Sequence, residues 1–286
     1  MSNSIMRVTL TVLIFAAALF LGYRLWTHYM YSPWTRDGRI RADVIRVAPD
    51  VAGPVTAVAV HDNQEVHKGD LLFSVDAARY LIAVQQVQAL LDAVRTEMTQ
   101  KQREAHRRAT LDAAVVSSES RQSASAASAA ATAKAQEAEA ALAAAQLNLQ
   151  RTQVLAPVDG YVTHLEVHPG DYAVAGRPML AVVDRHSFRA EGYFEETKIP
   201  GLRVGDAVDI RLMSGGPVLK GHVESIARAI ADTEDNGLLS SVNPTFHWVR
   251  LAQRIPVRIH IDRIPQDLIL SSGMTCTVTV HPGHKT

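Results

Sequence analysis

The chain holds a single cysteine, Cys276, among 286 residues. That excludes an internal disulfide and any cysteine-based zinc site. There is no surplus of either charge, with 29 Lys plus Arg against 29 Asp plus Glu. Bulk electrostatics therefore offer nothing to a nucleic-acid partner. Catalytic signatures are missing too: there is no Gly-x-Ser-x-Gly, no phosphate-binding Gly-Lys-Ser/Thr loop and no His-Glu-x-x-His. The 12 histidines are scattered. His164 and His168 fall on strand and turn rather than on one helix face, and the adjacent Glu195 and Glu196 would point to opposite faces of a strand. The composition gives an enzyme or a metal site little to work with, and no cofactor is expected.

The longest absence is local. From Ala77 to Thr152 there is neither Gly nor Pro, so nothing breaks a helix over a stretch several times the usual ~10–14 residues. Tyr80, Val84, Val87, Leu91, Val94 and Met98 alternate steps of four and three, the seam of a coiled coil. The polar run Val116-Ser117-Ser118-Glu119-Ser120 interrupts the pattern. An Ala-rich second half follows, with Leu142, Ala145 and Leu149 resuming the spacing. The reading is two long helices in an antiparallel hairpin. The basic run Lys101-Gln102-Arg103 and Arg107-Arg108 is read as a solvated face.

The N-terminus has the one long uncharged apolar run, Val8 to Tyr23. It is slightly short of the ~17–25 residues of a spanning helix, but Arg24 can snorkel to the interface. Trp26, Tyr29, Tyr31 and Trp34 have the look of an interfacial aromatic belt. We expect an uncleaved anchor rather than a signal peptide, because no small-x-small site precedes a polar start. Arg24, Arg36, Arg39 and Arg41 outnumber Arg7, and charge counting alone would put the body in the cytoplasm.

The hairpin is flanked by two similar segments. At a constant offset Gly53, Val55, Thr56, Val60, His61 and Gly69 match Gly160, Val162, Thr163, Val167, His168 and Gly176. Each copy has period-two apolar residues and turn glycines, the mark of a repeated β half. A β domain split by a helical hairpin resembles the membrane fusion (periplasmic adaptor) proteins of the HlyD/EmrA type, whose biotinyl-lipoyl-like domain is divided in this way. Tyr31 to Gly38 and Trp248 to Ile259 resemble the aromatic-carboxylic-acid efflux adaptors within that family. In carrier domains the turn equivalent to His61-Asp62-Asn63-Gln64 presents a modified lysine; this chain has none there, and Lys68 stands on a different turn.

The fold class expected is therefore α+β and multi-module. Its parts are a cytoplasmic N-terminus and transmembrane anchor (1–30), a membrane-proximal lead-in strand (31–47), lipoyl-like half 1 (48–76), the coiled-coil hairpin (77–152) and lipoyl-like half 2 (153–187). A β-barrel domain (188–265) and C-terminal membrane-proximal strands (266–286) complete it. Ile40 to Val47 is expected as one strand, and Pro256 at the edge of a barrel-closing strand.

The resemblance implies a non-catalytic adaptor in the inner membrane, single-pass with its body in the periplasm. It would form a trimer or hexamer, and its partners would be an inner-membrane efflux transporter and an outer-membrane channel of the TolC type. Arg107, Leu111 and Ser118, spaced R-x3-L-x6-S, resemble the tip motif by which such adaptors meet the channel, and together with Ser117 they are the expected channel contacts. Ser117 or Ser118 would equally serve as the cap of the second helix. Trp26, Tyr29 and Trp34 are the candidate membrane-interface residues. Aromatic carboxylic acids are the implied cargo. A multidrug or type I protein-secretion adaptor, or a lipoyl or biotinyl carrier subunit, are the alternatives.

Overall fold

The computed structural model of the protein describes residues 11–24, 33–112, 116–229, 253–265 and 268–283. Residues 11–24 are helical (α1). Val12, Phe15, Leu19 and Phe20 on it are all solvent-facing. Among the described residues no helix is long and apolar enough to cross a membrane. Within the expected anchor (1–30), residues 1–10 and 25–30, Trp26 and Tyr29 among them, lie outside the described residues.

The chain divides into two compact units. One comprises Val44–Arg185. Its strands are β2 (Val44–Val47), β3 (Gly53–Val58), β4 (Glu65–Val66), β5 (Leu71–Val75), β6 (Gln153–Leu155), β7 (Gly160–Thr163), β8 (Tyr172–Ala173) and β9 (Leu180–Asp184). They form two four-stranded sheets, ordered β2-β9-β7-β4 and β6-β5-β3-β8.

The sequence repeat becomes a swap. Each half lends its short strand to the other half's sheet: β4 pairs with β7 through Val66 and Gly160, and β8 pairs with β3 through Ala173 and Gly53. The matched glycines open β3 and β7 at equivalent places. A Cβ on Gly160 would lie 2.0 Å from the Val183 carbonyl oxygen, and one on Gly53 would lie 2.8 Å from Val75. Both positions need glycine for close approach. Val55, Val66, Leu72, Phe73, Val162 and Val182 fill one core between the sheets.

Between β5 and β6 the chain leaves as α2 (Ala78–Thr110) and returns as α3 (Ser118–Gln150), 33 residues each. At ~1.5 Å per residue each arm is roughly 50 Å long. Tyr80, Val84, Val87, Leu91, Val94 and Met98 all face inward, with Leu91 fully buried. Ala124, Ala131, Ala135 and Ala138 are buried opposite, and their small side chains let the helices approach closely. The base is tied to the sandwich by Tyr80, whose hydroxyl donates to the Ala52 carbonyl at 2.8 Å.

The other unit comprises residues 1–43 and 186–286. Its six strands, β1 (Trp34–Arg41), β10 (Arg189–Glu195), β11 (Ala207–Leu212), β12 (Leu219–Ile226), β13 (Arg254–Ile261) and β14 (Thr275–His281), close a barrel in the order β1-β10-β13-β12-β11-β14. Ile40, Phe194, Ile210, Ile259 and Val278 are fully buried inside it. Cys276 is among them, and burial pushes its thiol up to about 11.

Three expectations differ from this arrangement. The Ile40–Val47 strand is two strands in different sheets, β1 and β2, separated at Ala42–Asp43. There the Asp43 N–H donates to Ser187 Oγ at 2.7 Å and the Asp43 carboxylate accepts from Arg189 at 2.8 Å, so local polar contacts replace ladder pairing. The C-terminal segment does not stand apart from the barrel, because β14 pairs with both β1 and β11, placing Val278 opposite Thr35 and Ile210. Pro256 lies in a central strand, between β10 and β12. Its carbonyl accepts from Ala227, just past the end of β12, at 3.0 Å, so its missing N–H faces a place where the ladder has ended.

Candidate functional site

The hairpin tip is built by two helix ends. α2 runs to Thr110 with Arg107 and Arg108 in its last turn, where cations oppose the negative end of the helix dipole. Leu111 caps it in an extended conformation and remains 43% exposed. α3 starts at Ser118, with Glu119 in its first turn where a carboxylate is favoured. Residues 113–115 lie outside the described residues.

Arg107, Leu111, Ser117 and Ser118 are all exposed at this end of the hairpin. They do not have equal roles. Ser117 is the cap: its backbone is extended and its hydroxyl accepts from the Ser120 N–H at 3.2 Å. Ser118 is the first helical residue and is left facing outward. The capping function and the outward hydroxyl thus belong to two neighbouring serines. A groove along α2 is lined by Thr96, Gln100, Arg103 and Arg107.

The basic run is not uniformly a solvated face. Continuing the four-and-three spacing past Met98 leads to Lys101, Ala105 and Arg108, and these are half-buried in the seam. Across from them the α3 seam carries Arg121, Ala124 and Ser128. Arg108 pairs with Glu104 at 2.5 Å and reaches Ser120 Oγ at 3.5 Å. Arg121 donates to the Val116 carbonyl at 3.4 Å, while its Nε is buried with no hydrogen-bond partner among the described residues. The last turns below the tip are therefore held by polar contacts, weaker per residue than the apolar seam beneath. The signal for this was present in the sequence: the heptad positions continue, and only their chemistry changes.

Elsewhere the candidate residues resolve individually. His164 meets Glu166 at 3.0 Å and His168 meets Asp171 at 3.7 Å, each in its own turn. Lys68 sits in the His67–Asp70 turn, its N–H donating to Asp159 at 2.7 Å. The turn where carriers present lysine has Asn63 in the left-handed region at φ 63°. Among the described residues no group of three or more His, Cys, Asp or Glu could hold a metal ion. Trp34 opens β1 half-buried, with the Lys198 ammonium 5.0 Å and the Arg36 guanidinium 5.7 Å from its ring centroid. Sequence reading does not find Lys198, because it comes from a 3-10 turn, Glu196–Gly201, far away along the chain.

Comparison with known proteins follows this division. Residues 43–185 match the family described as "RND MFP, barrel-sandwich hybrid domain", and residues 187–281 match "AAEA-like beta-barrel domain". The chain is 41% identical over 273 residues to the uncharacterized protein YdhJ of Escherichia coli (strain K12), covering 94% of this chain and 96% of that one. The membrane fusion protein Spr0693 from Streptococcus pneumoniae R6 superposes with a TM-score of 0.65 at 17% identity, over 88% of this chain and 100% of that one. A MacA–MexA chimera containing the Pseudomonas aeruginosa MexA α-hairpin domain gives a TM-score of 0.60 at 23% identity, over 88% and 83%. At those identities the shared property is the fold.

Proposed function

This chain belongs to the membrane fusion protein family of efflux-pump adaptors, and from that premise we propose that it links an inner-membrane transporter to an outer-membrane channel in a tripartite pump. The observation that carries this is the insertion of the α2–α3 hairpin between β5 and β6 of a split barrel-sandwich. Such an arm puts an exposed tip at a distance from the β core without any catalytic group. Energy for transport comes from the partner transporter. The adaptor works as a trimer or hexamer, so that several tips meet one channel, with Arg107, Leu111 and Ser118 as the contact residues. An N-terminal anchor within residues 1–30 holds it to the inner membrane with the body in the periplasm. Trp26, Tyr29 and Trp34 mark the interface.

The cargo we propose is aromatic carboxylic acids. Support comes from the AAEA-like barrel match over residues 187–281 and from the resemblance of the Trp248–Ile259 segment to adaptors of that class. A multidrug role is the second reading.

The test is a deletion strain complemented with this chain and its partner transporter, scored for benzoate-type acid accumulation and for cell fractionation of the protein. Restored acid efflux with the chain in the inner-membrane fraction supports the proposal. Restored resistance to neutral and cationic drugs with acid efflux unchanged would favour the multidrug reading. A C-terminal reporter active only in the cytoplasm would reject the topology.

A further inference from the structure

One end of the barrel carries a cleft of about 420 Å³ with a chemistry the adaptor role does not use. The start of β1, the end of β10, the start of β13 and the Glu196–Gly201 turn meet there. Its volume lies within the ~300–1,000 Å³ of small-molecule sites. The floor is pinned by Thr35, whose hydroxyl donates to the Tyr193 carbonyl at 2.7 Å and accepts from the Asp37 N–H at 3.1 Å.

The cations in this cleft are unequally matched. Arg254 pairs with Asp37. Lys198 is only 14% exposed, yet among the described residues its ammonium makes one hydrogen bond, to the Trp34 carbonyl at 3.3 Å. Its carboxylate neighbour, Glu195, stands 3.9 Å away and is itself 54% exposed. An ammonium has three donors, and a largely desolvated one gains from filling them. Arg36 lies over the same Trp34 ring and makes no ion pair among the described residues. Three cations thus face two carboxylates, and the surplus is a guanidinium with its donors open beside a partly satisfied ammonium. Trp34 and Tyr193 supply apolar surface next to both.

We propose that this cleft is a binding site for an organic anion, with its carboxylate or phosphate held by Arg36 and Lys198 and its apolar body against Trp34 and Tyr193. Charge-assisted hydrogen bonds from two cations of different geometry fix the anionic group, and the aromatic walls exclude water from one side of it. The site uses none of the tip residues; a free aromatic acid as its ligand rests on the cargo proposed above, whereas a lipid headgroup does not. The same chemistry is offered by a free aromatic acid and by an anionic lipid headgroup, so the test separates these sources.

The experiment uses the full-length protein in detergent. Isothermal titration is run with benzoate, acetate and benzyl alcohol, and lipid retention is measured with phosphatidylglycerol against phosphatidylcholine. Saturable benzoate binding, with acetate weaker and benzyl alcohol silent, assigns the site to a free ring-bearing acid. Selective retention of phosphatidylglycerol assigns it to a headgroup. In either case Arg36→Gln and Lys198→Gln should weaken binding by about tenfold or more, as expected for the loss of a charge-assisted hydrogen bond, while Arg39→Gln on the same strand should not. Arg36 is exposed, so its variant tests the site even where Lys198→Gln loosens the barrel. If neither ligand binds, or if binding is indifferent to Arg36→Gln, the proposal is overturned and the cations only brace Trp34.

Discussion

Arg95 of α2 and Glu139 of α3 meet at 2.7 Å across the hairpin, and Gln102 reaches Thr132 at 3.4 Å in the same register. The two contacts step equally along opposite strands of the pair and so fix the antiparallel alignment. They do not supply the main stability. Arg95 and Glu139 are about half exposed, at 51% and 49%, and such pairs contribute ~0–1 kcal/mol. Leu91, with 1% exposure, sits one turn below. Leu91→Ala should cost ~2–5 kcal/mol and Arg95→Ala less than ~1 kcal/mol. Denaturant unfolding followed by circular dichroism checks the ranking; equal effects would mean that ion pairing, not the seam, holds the arms.

A second prediction separates two uses of glycine. Gly170 lies at φ +98° with open space around it, so Gly170→Ala should cost only the ~1–2 kcal/mol of a left-handed alanine. Gly160 has a Cβ direction that points at the Val183 carbonyl oxygen, 2.0 Å away. Gly160→Ala must push β7 off β9, and a loss above ~4 kcal/mol is expected. Thermal melts of the two variants decide it. A Gly160→Ala protein as stable as Gly170→Ala would mean that β7 and β9 shift apart freely.

The hairpin and the repeat are legible in the sequence because each rests on periodicity, and burial follows from periodicity directly. Tyr80 to Met98 face inward as their spacing dictates. The strand swap is not legible: Val66 and Ala173 look like ends of their own halves, and only the pairing of sheets reveals that each serves the other half. The break at Ala42–Asp43 is hidden for a related reason. Its cause is Ser187 and Arg189, distant in sequence. At the tip, the spacing locates Arg107, Leu111 and both serines. Which serine caps α3 depends on the backbone at one residue, and that has no periodic signal. The cleft at Trp34 draws on β1, β10, β13 and a 3-10 turn, so no local window contains it.

Acid should act on the barrel through Asp209. The hydrogen bond from Lys220, 2.6 Å away, holds the Asp209 carboxyl below its ordinary 3.8; desolvation opposes this and His281, at 3.2 Å, adds to it. A carboxyl depressed in the folded state gives its stabilisation above the unfolded value, and this is lost as pH falls through the folded one. The contribution is therefore complete above about pH 4 and declines below it. Asp209→Asn should have a lower melting temperature near pH 6 and converge on the unmutated protein once the pH falls below the depressed folded-state value. Melting curves across that range test it. A gap that stays constant with pH would assign the loss to packing rather than charge.

The tip is where docking and capping can be separated. Ser117 accepts from the Ser120 N–H at 3.2 Å, whereas Ser118 is exposed in the first helical position. Ser117→Ala should therefore lower helix stability by ~1 kcal/mol, and Ser118→Ala should leave it nearly unchanged. Ser118→Asp places a carboxylate at a helix N-terminus and should preserve or slightly raise helicity. Any loss of channel crosslinking by Ser118→Asp then reports on contact and not on folding. Leu111 is 43% exposed at the end of α2, so Leu111→Asp disturbs no packed core. In a docked interface the same change buries a charge, and pairing should fall to background. Arg107→Asp reverses an exposed charge in the last helical turn, so it should weaken pairing while costing the isolated hairpin only a few tenths of a kcal/mol. Site-specific crosslinking in cells is read beside circular dichroism of the purified chain. Undiminished crosslinking by Leu111→Asp, with helicity intact, would reject the docking stripe and leave Ser117 with its cap as the only role at the tip.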